Sequence, residues 1–471
     1  MERASMRIKI DPQDPLDFGP ARLQVTEDYY EKYRIVDRIL AETPEILSVF
    51  HQDVSRVLNR KGRKRRAQFT SDQLLRAILV MEIEGLPYRD AVVRIDDSLF
   101  LRRFVRVHDG PVMDFTLLCK AYRAVPATAW SEVNQLLARY ALGCKLIVGG
   151  QLRADTTVCE TNIHFPTDAT LLWDAYRVTA RLIAGIRSQD PEVVGTGRLQ
   201  ERATKRRVQA LSRLRGRSHK GRRQQRKAYK WLLTRVRSTL GWSRDIRAKL
   251  RVSLESCDYD FIVAAILKEA VSQLDHLDPL TMQVIDQTER RVILGEKVPN
   301  DEKIFSIFEP HTELVIRGKA GKAVEFGHVV LLQQVENQFI SDYQVFLNRP
   351  SDASLVDGIL ASHEDTFGRL PADFTADKGF YESMSKLAEL EQRIPNVGIA
   401  KKGKRTEEER AREHTSIFRE LQRFRAGIEG SISTLKRAFK MARCLHRSFE
   451  TYCSSIGCHV FAHNLIALAR L

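Results

Sequence analysis

The chain has 471 residues, with 76 Lys and Arg against 60 Asp and Glu, so its formal net charge is +16. Its 43% hydrophobic and 29% charged residues are typical of a globular protein, which excludes wholesale disorder. No apolar run reaches the roughly 18–20 residues of a membrane-spanning helix, and the N-terminus lacks the apolar core of a secretory signal. The seven scattered cysteines are typical of a reducing cytoplasm. The length predicts two or three domains.

Residues 1–145 are predicted to form a helical N-terminal domain for DNA binding or assembly. The sequence from Thr70 to Gln73 predicts a helix start with a capping box. A basic cluster precedes it, for which an ordinary charged loop and a DNA contact are equal alternatives. Its candidate DNA-binding residues are Arg63, Lys64, Arg65 and Arg66.

The positive charge is concentrated between Glu201 and Arg251. This block holds nineteen Lys and Arg against two acids, a net +17, so the rest of the chain sums to −1. Interleaved apolar residues and the absence of proline predict a basic helical pair within a helical insertion spanning residues 169–280. A solvated helical face and a flexible arm are the alternatives, but crowded like charges favour a polyanionic partner. The representative DNA-binding candidates are Arg222, Arg223, Arg226 and Lys227.

The remaining sequence predicts a mixed sheet with flanking helices, an α/β fold class. A strand is expected within 146–165, and a hairpin tip within 317–326. The domain that contains this sheet is predicted to comprise residues 146–168 and 281–455, and a C-terminal helix is predicted at 456–471. Further strand predictions are residues 284–285, 291–294, 304–308, 314–316, 324–332, 343–347, 373–376 and 397–400. Helices are predicted at residues 353–367, 381–391 and from 407 onward.

Three carboxylates stand at informative places in this pattern. Asp155 lies in the first predicted strand, and Asp377 follows the strand at 373–376, where open α/β sheets place their sites. At 100° per residue, Glu429 shares a helix face with Arg425 and Lys436, beside an apolar stripe. Each acid also has an ordinary explanation, as a strand-end cap, a turn residue and a member of a salt-bridge network. Carboxylates are the ligands that hard cations such as Mg²⁺ prefer, and two such ions promote phosphoryl transfer.

The ordered motifs RADTTVCETNIHFPTD, TADKGFY and RAGIEGSISTLKR resemble DDE transposases of bacterial insertion sequences, nearest the ISNCY-like group. The resemblance implies an RNase H-like catalytic domain in which Asp155, Asp377 and Glu429 hold two Mg²⁺ ions, with Mn²⁺ as a substitute. It also implies DNA contacts by Arg425 and Lys436. The implied reaction is cleavage at transposon ends followed by strand transfer into target DNA.

The same resemblance implies a homo-oligomer on DNA and a cytoplasmic, nucleoid-associated bacterial protein with no membrane partner. One departure is Gln422, where a related signature has tyrosine. Two alternatives stay open: a catalytically inactive or non-enzymatic DNA-binding protein of the same fold, and a purely hydrolytic RNase H-like nuclease. A zinc site at His459 and His463 is disfavoured, because their apolar neighbours predict a packed helix.

Overall fold

The structure is a computed structural model that describes residues 23–58, 68–214, 218–256, 259–319 and 322–471. The predicted DNA-contact residues Arg63, Lys64, Arg65 and Arg66 lie outside these ranges. Contacts divide the chain into a first unit, residues 1–160 with 328–471, and a second unit, residues 161–327. The predicted insertion at 169–280 falls within the second unit, which is wider because it also includes residues 161–168 and 281–327.

Helices make up most of the described chain. They are α1 (Gln24–Glu42), α2 (Pro44–Leu58), α3 (Ser71–Ile83), α4 (Tyr88–Asp97), α5 (Leu99–Phe104), α6 (Phe115–Ala124), α7 (Ala127–Gly143), α8 (Asp168–Gln189), α9 (Pro191–Val194), α10 (Glu201–Arg213), α11 (His219–Ser256), α12 (Phe261–Thr288), α13 (Val356–Phe367), α14 (Met384–Arg393), α15 (Glu407–Glu413), α16 (Ser416–Arg437) and α17 (Phe449–Leu468). The predicted capping box is confirmed, since Thr70 Oγ1 accepts from Gln73 N at 3.1 Å and Gln73 Oε1 accepts from Thr70 N at 2.9 Å. Within the described residues no helix is both long and apolar enough to cross a membrane.

The described strands form one mixed sheet, which confirms the α/β class. They are β1 (Gln151–Thr161), β2 (Glu313–Lys319), β3 (Lys322–Gln334), β4 (Ile340–Val345), β5 (Asp373–Ala376), β6 (Asn396–Gly398) and β7 (Arg443–Cys444). The order is β2-β3-β1-β5-β6, with β4 on β3 and β7 on β1. β1, β5 and β6 run parallel, whereas β2, β3 and β4 are antiparallel. The RNase H-like topology remains a prediction.

The core of the first unit is built around the C-terminal helix. α17 is buried along nearly its whole length and packs against α7, α3 and β4. Its His459 Nδ1 lies 2.6 Å from Glu82 Oε2, and both side chains are buried. A buried polar pair of this kind stabilises the core because each group satisfies the other. The predicted packing of the two histidines in an apolar helix is therefore confirmed.

The second unit is a helical bundle, α8 to α12, joined to the β2–β3 hairpin. The hairpin prediction is confirmed by the antiparallel pairing of Ile316 with Val324. Two strand predictions are wrong: residues 284–285 lie in α12, and residues 291–294 lie in a π-helix, Glu289–Leu294. Val284 and Ile285 are buried, so packing of α12 against α8 overrides their β-branched preference.

A third strand prediction, residues 304–308, is also wrong. This segment is irregular, and the side chain of Gln287 replaces a strand partner. Ile304 N donates to Gln287 Oε1 at 3.0 Å, and Gln287 Nε2 donates back to Ile304 O at 3.2 Å. The backbone of a buried segment can thus be satisfied without a sheet.

Candidate active site and nucleic-acid interface

The parallel register of β1 and β5 brings two of the predicted acids together. Ala154 pairs with Ala376, the last residue of β5. Asp155 is the next residue of β1, and Asp377 directly follows β5, so the two aspartates come at matching positions beside each other. Adjacent strands lie about 4.8 Å apart. Asp155, in the middle of β1, and Asp377, at the end of β5, therefore form a carboxylate pair on neighbouring strands.

Backbone amides hold both aspartates. Asp377 caps a short 3₁₀ helix, and its Oδ1 accepts from Gly379 N at 2.7 Å. Asp155 Oδ1 accepts from Thr156 N at 2.7 Å. A carboxylate that accepts a backbone N–H has a restricted orientation, which reduces the freedom it would lose on binding a cation.

A third aspartate, Asp352, was missed by the sequence analysis. It begins the 3₁₀ turn Asp352–Leu355 after β4, and its Oδ1 accepts from Thr156 Oγ1 at 3.2 Å. A Cβ at Gly379 would lie 2.8 Å from Asp377 Oδ1 and 2.9 Å from Asp352 Oδ2. The absence of a side chain at residue 379 thus allows two carboxylates to converge. Only the tertiary contacts identify Asp352, because in the sequence it is one more aspartate in a loop.

Glu429 lies on α16, which packs across β5 and β6. The predicted apolar stripe is confirmed, as Ile428 and Leu435 are fully buried. Glu429 itself is exposed, with 65% of its side chain accessible, and its Oε1 lies 3.3 Å from Arg425 Nη2. The predicted common face of Arg425 and Glu429 is thus confirmed. Within the described ranges, no three His, Cys, Asp or Glu side chains are grouped closely enough to hold a metal ion.

Lys436, the third residue of the predicted face of α16, lies near a buried thiol of β1. Burial, the larger effect, raises the pKa of Cys159 to about 12, and the charge of Lys436 lowers it. Cys159 lies in β1 four residues beyond Asp155. Glu429 itself pairs with Arg425 in this structure.

A buried arginine fixes α16 against the sheet. Arg153 Nε donates to Gln334 Oε1 at 2.7 Å, and its Nη1 donates to Phe424 O. The guanidinium also stacks on the Phe424 ring, 4.4 Å from the centroid. Burial lowers the pKa of Arg153 to about 10. This role of Arg153 was not predicted from the sequence, although Arg153 lies two residues before Asp155 and a cation within an apolar strand is itself a signal.

Gln422, which stands where the related signature has tyrosine, contacts the sheet. Gln422 Nε2 donates to the carbonyl oxygen of Gly398 at 2.6 Å, at the end of β6. This residue connects α16 to the sheet, so the bond has a structural role.

Asp155, Asp377 and Asp352 offer carboxylate oxygens, which are the ligands that hard divalent cations such as Mg²⁺ and Mn²⁺ take. The Gly379 position leaves space between the carboxylates of Asp377 and Asp352. The third predicted ligand, Glu429, can join them only if its side chain leaves Arg425.

The basic block between Glu201 and Arg251 forms two helices, as predicted. The two halves of α11 differ in whether acidic side chains pair with their cations. In the C-terminal half of α11, three arginines pair with the α12 acids Asp275 and Asp278. The distances are 2.6 Å for Arg244 to Asp278, 2.5 Å for Arg247 to Asp275 and 2.7 Å for Arg251 to Asp275. These carboxylates neutralise much of that half, so α12 limits the cationic surface.

The N-terminal half of α11 keeps its charge. Arg222, Arg223, Arg226 and Lys227 are exposed, and none forms an ion pair with a residue in the described part of the chain. Nearby, Arg207 and Arg235 lie over the Trp231 ring at 4.7 and 5.3 Å. A row of exposed cations on a rigid helix is the surface that a phosphate backbone requires. No protein-family model, curated protein or solved structure matches the chain.

Proposed function

We propose that the protein is a DDE-type DNA transposase, which cleaves DNA at the ends of a mobile element and joins those ends to target DNA. The observation that carries the proposal is the parallel β1–β5 register, which sets Asp155 of β1 beside Asp377, the residue that follows β5. The α16 helix, with Glu429 between Arg425 and Lys436, packs on the same sheet. The motif resemblance supports the same reaction.

Asp155 and Asp377 would hold Mg²⁺, and Glu429 would complete the ligand set. When bound, the metal supplies Lewis-acid stabilisation of charge on the attacking and leaving oxygens. The residues of the chain orient the reactants: Arg425 and Lys436 would bind phosphates on either side of the scissile bond. An exposed ion pair such as Arg425–Glu429 contributes only about 0–1 kcal/mol. A DNA phosphate can therefore replace Glu429 as the partner of Arg425, which frees the carboxylate for the site.

The test uses a plasmid that carries the gene with its flanking genomic DNA. Asp155→Asn, Asp377→Asn and Glu429→Gln should each lower Mg²⁺-dependent cleavage at the ends at least 100-fold while duplex binding in EDTA is unchanged. Glu160→Gln is the matched control, because Glu160 lies in the same strand and pairs with Arg443 at 3.2 Å. Cleavage at the wild-type rate by any of the three site variants, at equal folded protein, contradicts the proposal.

Two other functions are distinguished by the products. A hydrolytic nuclease of the same fold would give nicked or cut DNA without joined ends. A non-enzymatic DNA-binding protein would bind the same fragments without cutting in Mg²⁺ or Mn²⁺. Joined products that depend on Asp155 and Asp377 exclude both.

A further inference from the structure

A cavity of about 400 Å³ opens in the second unit, away from the three acids in sequence. Its walls are the first residue of α8, the π-helix Glu289–Leu294 and the loop that follows. A π-helix is a rare element that often accompanies functional sites. It ends at Gly295, whose φ of +81° is a left-handed conformation that glycine adopts most readily.

Three cations line this cavity: Arg291, Lys297 and Lys303. The lining acids are already engaged, since Asp168 lies 3.1 Å from Arg291 and Glu296 lies 2.9 Å from Arg290. Lys297 and Lys303 form no ion pair with any residue that the structure describes.

Lys303 shows the effect of this crowding. Its Nζ donates to Asn300 Oδ1 at 3.1 Å, a neutral partner. Burial, and then the charges of Arg291 and Lys297, lower the pKa of Lys303, while Asp168 opposes them. An anion in the cavity would relieve this repulsion, because it would contact several like charges at once.

The cavity adjoins the exposed basic half of α11. Arg226 Nη2 lies 3.9 Å from the position that a Cβ on Gly295 would occupy. The four cations, Arg226 included, therefore surround one rim. A phosphodiester fits this arrangement, since guanidinium and ammonium groups donate several hydrogen bonds to phosphate oxygens.

We propose that this cavity is a phosphate-binding site that takes a backbone phosphate of DNA lying along the N-terminal half of α11. The identity of the ligand as DNA rests on the proposed function, whereas the preference for a phosphate rests on the cavity alone. The site fixes the position of the duplex on the second unit, because one phosphate is held by residues from α11, the π-helix and the loop. The same phosphate chemistry could come from a free nucleotide, so the experiment separates the two sources.

The experiment measures duplex binding by the full chain in EDTA over a range of salt concentrations. Lys303→Gln should weaken binding several-fold and lower the slope of log K against log salt by about one, as expected for one lost phosphate contact. Lys297→Gln should also weaken binding and lower the slope. Because Lys297 is exposed, an effect of this variant does not arise from a folding defect. Lys268→Gln is the matched control: Lys268 is exposed on α12, away from the cavity lining, and its substitution should leave the slope unchanged.

Asp168→Asn gives the opposite sign. It removes the acid that pairs with Arg291, so DNA binding should become tighter, which a merely structural role for the cluster does not explain. A second arm titrates inorganic phosphate and ADP as competitors. Competition only at millimolar concentrations, together with the DNA effects, supports a backbone-phosphate site. Tight ADP binding with no effect of Lys303→Gln on DNA overturns the assignment to DNA, and no effect of any variant on either ligand overturns the site.

The outcome is separable from that of the proposed function. Asp155→Asn should bind DNA like the wild type and respond to Lys303→Gln in the same way. If the protein cleaves no DNA but these binding effects remain, the phosphate site is supported as part of a non-catalytic DNA-binding protein.

Discussion

Gly427→Ala on α16 tests whether Arg153 fixes the helix that carries Glu429. In an exposed helix interior, replacing glycine with alanine stabilises a protein by about 1 kcal/mol. At Gly427, however, a Cβ would overlap the guanidinium of Arg153. Arg153 is 6% exposed and is held by Gln334 and by the carbonyl oxygen of Phe424, so it cannot simply swing into solvent.

The expected magnitude follows from those bonds. Hydrogen bonds to a charged group contribute about 1.5–3 kcal/mol each, and displacing the guanidinium weakens at least one of them. After subtracting the helix-propensity gain, Gly427→Ala should lower the free energy of unfolding by about 0.5–2 kcal/mol. Gly430→Ala on the same helix is the matched control, because its Cβ would meet nothing within 4 Å. That variant should be stabilised by about 0.5–1 kcal/mol.

The assay is urea unfolding followed by circular dichroism, with a double-mutant cycle. If the overlap causes the loss, Arg153→Met should relieve it, and Gly427→Ala in that background should stabilise the protein as Gly430→Ala does. The coupling energy between residues 153 and 427 should then reach about 1–3 kcal/mol. Equal effects of Gly427→Ala and Gly430→Ala in the wild-type background would refute the reasoning.

Arg153→Met should lower the free energy of unfolding by about 2–4 kcal/mol in urea, whereas Arg443→Met, which breaks only an exposed ion pair with Glu160, should cost less than about 1 kcal/mol. Replacing Arg222, Arg223, Arg226 and Lys227 by Gln should reduce the slope of log DNA affinity against log salt, because several phosphate contacts are lost. The same change at Arg244, Arg247 and Arg251, which already pair with acids, should reduce the slope less. An equal reduction would contradict the different charge of the two halves of α11. Burial lowers the pKa values of His363 and His463 to about 4, so these histidines are neutral in the fold, whereas they titrate near 6.5 when unfolded. Their contribution to the free energy of unfolding should be constant above pH 6.5 and fall between pH 6.5 and 4 by up to about 3 kcal/mol per histidine. His463→Gln should make the urea midpoint less sensitive to pH across that window.

Local signals in the sequence predicted many elements well. The capping box at Thr70, the strand at 373–376 and the apolar stripe of α16 depend on residues close in sequence, so composition and spacing were sufficient. The strand prediction at 284–285 failed because β-branched residues also pack well in a buried helix, and the prediction at 291–294 failed because that segment continues α12 as a π-helix. Their environment, which the sequence does not contain, decided the outcome.

The distribution of exposed charge was likewise predictable only in part from the sequence. The sequence located an excess of +17 between Glu201 and Arg251, and the helical form of its described part was predictable. Which cations remain exposed was not, because Asp275 and Asp278 are more than twenty residues away along the chain and meet α11 only when α12 packs beside it. Neutralisation is a short-range effect and therefore depends on tertiary contacts.

By itself, the sequence determined the candidate acids, the faces on which they lie and the helical or strand character of their surroundings. Only the tertiary structure decided that Asp155 and Asp377 share a register, that Asp352 converges on Gly379 and that Arg153 holds α16 on the sheet. The physical reason is that periodicity specifies which way a side chain points from its own element, whereas its partners depend on how distant elements pack. The carboxylate pair and the cavity proposed to bind phosphate both arise from such packing, within one unit in each case.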